Sequence, residues 1–190
     1  MEAIMVNRCW WCAGDALYEQ YHDEVWGQPE KENSKLFEML TLEHFQSGLS
    51  WITILRKQEN FAAAFEGWDI NRIAAYGEAD VKRLMGDAGI VRNNKKVEAA
   101  IVNAGQALSL IEEFGDLHSY FVRFVPKDRL VPKGGFERSA LPLMSEEAKI
   151  MSKDLKKRGF KFTGPMTCQS FMQAVGLLND HVKGCDLCVY

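Results

Sequence analysis

Three groups of residues in this chain have types and spacings that could do chemistry. The first is Leu42-Glu43-His44-Phe45-Gln46-Ser47-Gly48-Leu49-Ser50-Trp51, where an acid, an amide, a leucine and a tryptophan stand around a glycine turn. Such groups can hydrogen-bond to the edge of a planar polar ring and stack on its face. With Trp11, Tyr18, Tyr21 and Trp51 placed near Glu43, they would box a flat base, above all a cationic one, because ring faces are electron-rich and a carboxylate adds charge. The ordinary alternative is a helix junction in which Leu49 and Trp51 are core and Glu43 is solvated. The second group is cysteine and histidine at both ends. His181 and Cys185 are four apart, so a helical turn would put them on one face as a half-site for zinc, and Cys9 with His22 could supply the other half. A rival set is Cys9, Cys12, Cys185 and Cys188, two C-x2-C pairs. Spacing alone leaves the choice open, and unligated thiols are the plain alternative. The third group is basic. A helix, a glycine-bearing turn (Gly86-Asp87-Ala88-Gly89) and a second helix run from Asp80 to about Ile111, with Arg92, Lys95 and Lys96 beside the turn. The turn amides and the dipole of the second helix could hold a DNA phosphate there, although an ordinary αα-hairpin looks the same in sequence. Lys153, Lys156, Lys157, Arg158 and Lys161 form a second cluster, which by itself is a solvated face and together with the first could track a backbone.

Composition narrows the class. At 190 residues and 47% apolar content, the chain suits one domain or two lobes sharing a core. The net charge of −3 gives no global attraction to nucleic acid, so such binding needs a local basic face. No stretch has the length and purity of a membrane span and no leading apolar run resembles a signal peptide, so the cytoplasm is the simplest location and no membrane partner is expected. Of the five cysteines, Cys168 stands alone, and the pairs at the two ends, Cys9 with Cys12 and Cys185 with Cys188, read as metal ligands rather than disulfides.

The elements that must position these groups are helices. Asp15 is expected to cap a helix carrying Leu17, Tyr18, Tyr21 and His22, with both tyrosines on one face. Asn33 or Ser34 caps the next, which runs through Leu36, Phe37 and Leu40 into the Glu43 segment and ends at Gly48. Asp69 and Asp80 look like caps of two short helices, and Val97, Ala100, Ile101 and Ala104 line one face of a long one. Pro126, Pro132, Gly134, Gly135 and Pro142 make 124–144 a surface loop or short hairpin. Ser145 starts a helix closed by Lys156, Lys157 and Arg158 before Gly159, and Gly164-Pro165 starts the next. No run alternates as a strand would, so the class is all-α.

At this point a resemblance can be stated. Arg8-Cys9, Trp11, Asp15, Leu17-Tyr18, Tyr21-His22-Asp23, Trp26-Gly27 and Pro29 are similar to the N-terminus of the DNA-3-methyladenine glycosylase I family. The stretch Leu36-Phe37-Glu38-Met39 to Leu42-Glu43, Gln46 and Gly48-Leu49-Ser50-Trp51-Ile52-Thr53 resembles its core signature. Lys156 to Phe162, Ser170 to Ala174, Gly176-Leu177, Asn179-Asp180-His181 and Gly184-Cys185 resemble its C-terminal part. The resemblance implies a helix-hairpin-helix glycosylase fold in which residues 36–112 form one lobe, and 1–35 with 113–190 form a second. It implies a structural zinc ion held by Cys9, His22, His181 and Cys185, and a base pocket of Glu43, Tyr18, Tyr21 and Trp51 with Trp11 nearby. Gly48 and Leu49 would fill the gap left by an extruded nucleotide, and Arg92, Lys95 and Lys96 would contact DNA. The implied activity is hydrolysis of the glycosidic bond of 3-methyladenine in double-stranded DNA by a monomer, with water as nucleophile, free 3-methyladenine as product and Glu43 as the candidate catalytic or base-reading acid. A non-enzymatic zinc-stabilised DNA-binding protein is the alternative, which would not need Glu43 beside an aromatic box.

Overall fold

The computed structural model describes residues 6–125, 135–141 and 143–188; among them it contains ten α-helices, a few short 3-10 turns and no β-strand. The helices pack around α2 (Asn33–Gln46), in which every residue from Leu36 to Phe45 is buried. A helix covered on all sides belongs to the interior, not to a surface stripe. Its cover comes from α3 (Trp51–Leu55), α7 (Asn94–Phe114), α8 (Leu117–Phe121) and α10 (Pro165–Ala174). The rings of Phe37, Phe45, Phe61, Phe65 and Trp68 fill the space beside it, each contributing roughly 1.5–3 kcal/mol through burial. α7 closes against α5 (Ile70–Ala74) and α6 (Glu78–Gly86). Val97, Ala100 and Ala104 are fully buried on the expected face of α7, while Ile101 is half-buried.

Most helix starts lie where the capping residues place them. Asp15 accepts from the Leu17 and Tyr18 N–H groups at the head of α1 (Ala16–Glu24), and Asp69 from Asn71 and Arg72 at the head of α5. Ser145 accepts from Ala148 at the head of α9 (Glu146–Lys157), and Pro165 opens α10. Two starts differ. α2 follows Glu32, and Asn33 instead accepts the Leu117 N–H at 2.8 Å, tying α2 to α8. α6 begins at Glu78, so Asp80 lies one turn in and reaches back to the Gly77 N–H at 3.1 Å. The end of α2 is as expected: Ser47 closes it and Gly48 takes φ +82°, a left-handed conformation that suits glycine. In the 124–144 region, residues 126–134 and 142 lie outside the described residues. Phe136 pairs with the C-terminal segment, donating to His181 O at 3.1 Å and accepting from Lys183 N at 2.9 Å. His181 and Cys185 lie in irregular backbone here, not on a shared helical turn. No helix among the described residues is long and apolar enough to cross a membrane.

Candidate functional site

Beside the last turn of α2 is a cavity of about 180 Å³ lined by Trp11, Tyr18, Tyr21, Trp26, Glu43, Gln46, Trp51, Ser170 and Gln173. α1 supplies the two tyrosines, three residues apart and therefore on one face; α2 supplies Glu43 and Gln46, also three apart. α3 supplies Trp51, and α10 supplies Ser170 and Gln173. All five residues expected to form a base box thus border one space. The rings meet at angles: Trp11 lies 5.0 Å from both Tyr18 and Trp26, and Tyr21 lies 5.4 Å from Trp51 at an interplanar angle of 48°. Sandwiching a base between two rings needs about 7 Å, twice a van der Waals contact. The Tyr21–Trp51 pair is therefore too close to sandwich a flat ring, and leaves a face of one member to stack on. Trp26, Ser170 and Gln173 complete the lining. The signal for the last two was their i, i+3 spacing on a helix facing α2, which sequence could show only if α10 were already known to lie there.

Glu43 gives the cavity its electrostatic character. α2 carries two buried carboxylates. Glu38 receives Lys35 Nζ at 2.9 Å and Gln58 Nε2 at 3.0 Å. Glu43 is 4% exposed and has no hydrogen-bond or ion-pair partner among the described residues. Burial alone pushes its carboxyl up to about 8. The phenols beside it, Tyr18 and Tyr21, are raised as well, chiefly by burial and further by Glu43, so both stay neutral. The Trp51 indole N–H is likewise buried without a partner. Buried polar groups are nearly always paired, and an unpaired acid in a cleft marks a place where a ligand supplies the missing partner.

The residues near the two ends converge. Ligand atoms of Cys9, His22 and Cys185 lie within 4.8 Å of one another, with Cys185 Sγ 3.6 Å from His22 Nε2. Two interactions fix the imidazoles. His22 Nδ1 faces Asp23 at 2.9 Å, and Asp23 is in turn held by the Arg8 guanidinium; His181 Nδ1 faces Asn179 Oδ1 at 2.8 Å. This leaves each Nε2 with a lone pair, and that of His181 is buried without a partner. Its ring sits 5.2 Å from that of His22, and burial, with His22 adding to it, lowers His181 to about 4, so it is neutral and fit to donate. Burial raises the Cys9 thiol to about 12. Of the rival four-cysteine set, Cys12 is turned to Cys9 O at 3.1 Å, and neither it nor Cys188 joins the group; His181 also falls outside the group of three.

The cations expected beside DNA divide into two kinds. Arg92 and Lys95 are exposed at the turn between α6 and α7. Lys96 is not: it is 6% exposed and its ammonium donates to Phe45 O at 2.8 Å and Ser47 O at 2.6 Å. It therefore closes the C-terminus of α2, where carbonyls lack helical donors and the dipole is negative, and it leaves the set of surface charges. His44 is buried between Phe45 and Phe162, lowered to about 3 by burial, and faces Lys96 O at 3.0 Å. Leu49, 39% exposed, projects from the loop after α2, whose shape is held by Gln46 Nε2 donating to Leu49 O at 2.6 Å. In the second basic cluster, Arg158 is paired with Glu113 and Asp154, while Lys153, Lys156, Lys157 and Lys161 are exposed.

An all-helical protein with a nucleobase-sized aromatic pocket, an unpaired acid within it and a cation-flanked helix–turn–helix has the parts of a base-excising DNA glycosylase. Comparison with known proteins narrows this: a family profile described as methyladenine glycosylase matches residues 11–189, and the chain belongs to that family. It is 46% identical over 188 residues to DNA-3-methyladenine glycosylase 1 of Escherichia coli (strain K12), covering 97% of each chain. It is 40% identical over 184 residues to DNA-3-methyladenine glycosylase of Haemophilus influenzae, covering 95% of this chain and 97% of the other. Among solved structures, a crystal structure of 3-methyladenine DNA glycosylase I superposes with a TM-score of 0.89 at 44% identity, covering 95% of this chain and 99% of the other. One from Staphylococcus aureus, described as the structural basis of 3-methyladenine recognition, superposes at 0.88 with 37% identity, covering 95% and 96%.

Proposed function

We infer that this chain is a DNA-3-methyladenine glycosylase acting in base-excision repair. The observation that carries the chemistry is the buried, partnerless Glu43 in a box of rings. A methyl group on N3 of adenine within DNA makes the base cationic. A cation entering the box meets electron-rich faces and supplies the partner that Glu43 lacks, whereas a neutral adenine offers no charge to balance an ionised carboxylate. Glu43, Tyr18, Tyr21 and Trp51, with Trp11, are therefore assigned to the base. Reaching it requires extrusion of the nucleotide, with Gly48 and Leu49 entering the gap, while Arg92, Lys95 and the turn amides of a helix-hairpin-helix hold the backbone. The lobe 36–112 then carries the wedge and the grip, and 1–35 with 113–190 supplies the remaining walls.

Hydrolysis needs little more. Water oxygen bonds to C1′ as the C1′–N glycosidic bond breaks. The bonding electron pair goes to the base and cancels its positive charge, and the proton lost by water goes to solvent. Because the base leaves neutral, it needs no general acid. Glu43 recognises and holds it, no Schiff-base lysine is required, and the product is an abasic site. Cys9, His22, His181 and Cys185 would hold a structural zinc ion. Four protein ligands fill a tetrahedron, so the ion would join the two ends of the chain that frame the pocket. The buried, partnerless His181 Nε2 supports the fourth ligand.

Incubating the protein with methylated duplex DNA tests the reading. Release of free 3-methyladenine with abasic sites left behind supports it. Binding without release supports a non-enzymatic DNA-binding protein.

A further inference from the structure

The turn between α6 and α7 is held from outside by a residue the site has not yet used. Lys57, in the joint between α3 and α4 (Gln58–Ala64), donates from Nζ to Ala88 O at 3.1 Å and Gly89 O at 3.0 Å. Asn60 Nδ2 also reaches Gly89 O, at 3.4 Å, and the Gly89 N–H donates to Asp87 Oδ1 at 2.7 Å. A Cβ on Gly89 would lie 2.9 Å from Asp87 Oδ1 and 3.1 Å from Asn60 Cβ, so only glycine lets the turn lie this close to α4.

These contacts fix where the turn's donors point. The described peptides are all trans, and in a trans plane C=O and N–H point in opposite directions. Drawing Gly89 O toward Lys57 turns the Ile90 N–H away from it, and that N–H has no acceptor among the described residues. The exposed Arg92 and Lys95 follow immediately. Lys57 also lies two residues past the end of the helix that carries Trp51. Its neighbour Arg56 reaches Asp15, the cap of the helix carrying Tyr18 and Tyr21, at 2.5 Å. The Arg56-Lys57 dipeptide thus ties one wall of the base pocket to the opposite wall and to the turn.

We propose that Lys57 is a positioning residue for DNA binding: its ammonium, spent on two carbonyls, turns the Ile90 N–H away from the α3–α4 joint and toward a backbone phosphate without touching the phosphate itself. This rests on the reading of the α6–α7 turn as the phosphate grip.

The test uses the full-length chain and an undamaged duplex. Lys57→Met should weaken duplex binding about tenfold, the equivalent of one hydrogen bond to a charged group. The slope of log affinity against log salt should not change, because the bond lost comes from a neutral amide. Affinity for free 3-methyladenine should also hold, and hydrogen exchange at the Ile90 amide, slowed by DNA in the parent protein, should no longer be slowed in the variant. Lys57→Gln, which keeps an N–H donor, should fall between the two and serves if the methionine variant folds poorly. Unchanged duplex affinity in a folded variant overturns the proposal, as does a salt slope reduced by about one, which would make Lys57 a direct phosphate contact. Joint replacement of Arg92 and Lys95 by Ala separates the two layers: if that leaves duplex affinity unchanged, the phosphate-grip reading itself fails.

Discussion

Replacing Glu43 by Gln should make the empty protein more stable while disabling it. Glu43 is buried without a partner, and burial lifts its carboxyl from an ordinary 4.5 to about 8. The folded-state value lies above the unfolded one, so Glu43 withdraws no stability while it is protonated in both states, below about pH 4.5. The penalty grows as pH rises, because the unfolded chain ionises freely while the folded one resists, and it levels off beyond about pH 8. At about 1.4 kcal/mol per pK unit, the gap between wild type and Glu43→Gln should be near its baseline at pH 4.5, about 3 kcal/mol in favour of Gln at pH 7, and about 5 kcal/mol above pH 8. Gln has nearly the same shape and stays neutral, so the pH dependence isolates the charge. Urea unfolding of both proteins at several values between pH 4.5 and 8.5 measures it. The same titration should appear in function. On methylated duplex, where the base carries a fixed positive charge, kcat/KM should rise about tenfold per pH unit toward pH 8 and then level, and the residual activity of the Gln variant should be flat. A stability gap that ignores pH, or a Gln variant less stable than wild type at pH 7, would refute a partnerless buried acid as the origin of both effects.

Other outcomes follow from the same geometry. His181→Ala should lower zinc content below one per chain and lower Tm, and chelation should lower the Tm of the parent protein; a full complement of zinc in the variant removes His181 from the ligand set. Lys96→Met should destabilise by about 1–3 kcal/mol by stripping the donor from two carbonyls at the end of α2, with the salt slope of DNA binding unchanged. Arg92→Ala or Lys95→Ala should instead reduce that slope by about one with stability within about 0.5 kcal/mol of wild type. Leu49→Ala should slow excision from duplex while affinity for free 3-methyladenine, measured by calorimetry, stays the same.

What the sequence revealed and what it hid have physical causes. Four helices, two of them bordering the pocket, were legible because their start signals, Asp15, Asp69, Ser145 and Pro165, act locally. Helical periodicity likewise placed Tyr18 beside Tyr21. Asp80 misled because an acid can serve either as the cap or one turn later, reaching back to the same end of the helix. Lys96 misled more deeply, and His44 beside it gave no signal of its place. A lysine beside a turn and a histidine at a helix end look solvated in any local window, and only the approach of α7 to the end of α2 buries both. Cys9, His22 and Cys185 converge, with the His181 ring beside that of His22, although His181 and Cys185 share no helical turn. Their meeting depends on irregular backbone pinned by Phe136 and Asn179, which carries no periodicity to read. Ser170 and Gln173 line the pocket through tertiary packing alone.

If one buried carboxylate makes the pocket prefer a methylated, positively charged purine, the probe must keep the charge that free 3-methyladenine has lost. Calorimetric binding of 3,9-dimethyladeninium, a fixed cation, and of neutral 9-methyladenine should be compared at pH 8 in the wild-type protein and in Glu43→Gln. The wild type should strongly prefer the cation and the variant should lose that preference; an equal preference in both proteins would overturn this role for Glu43.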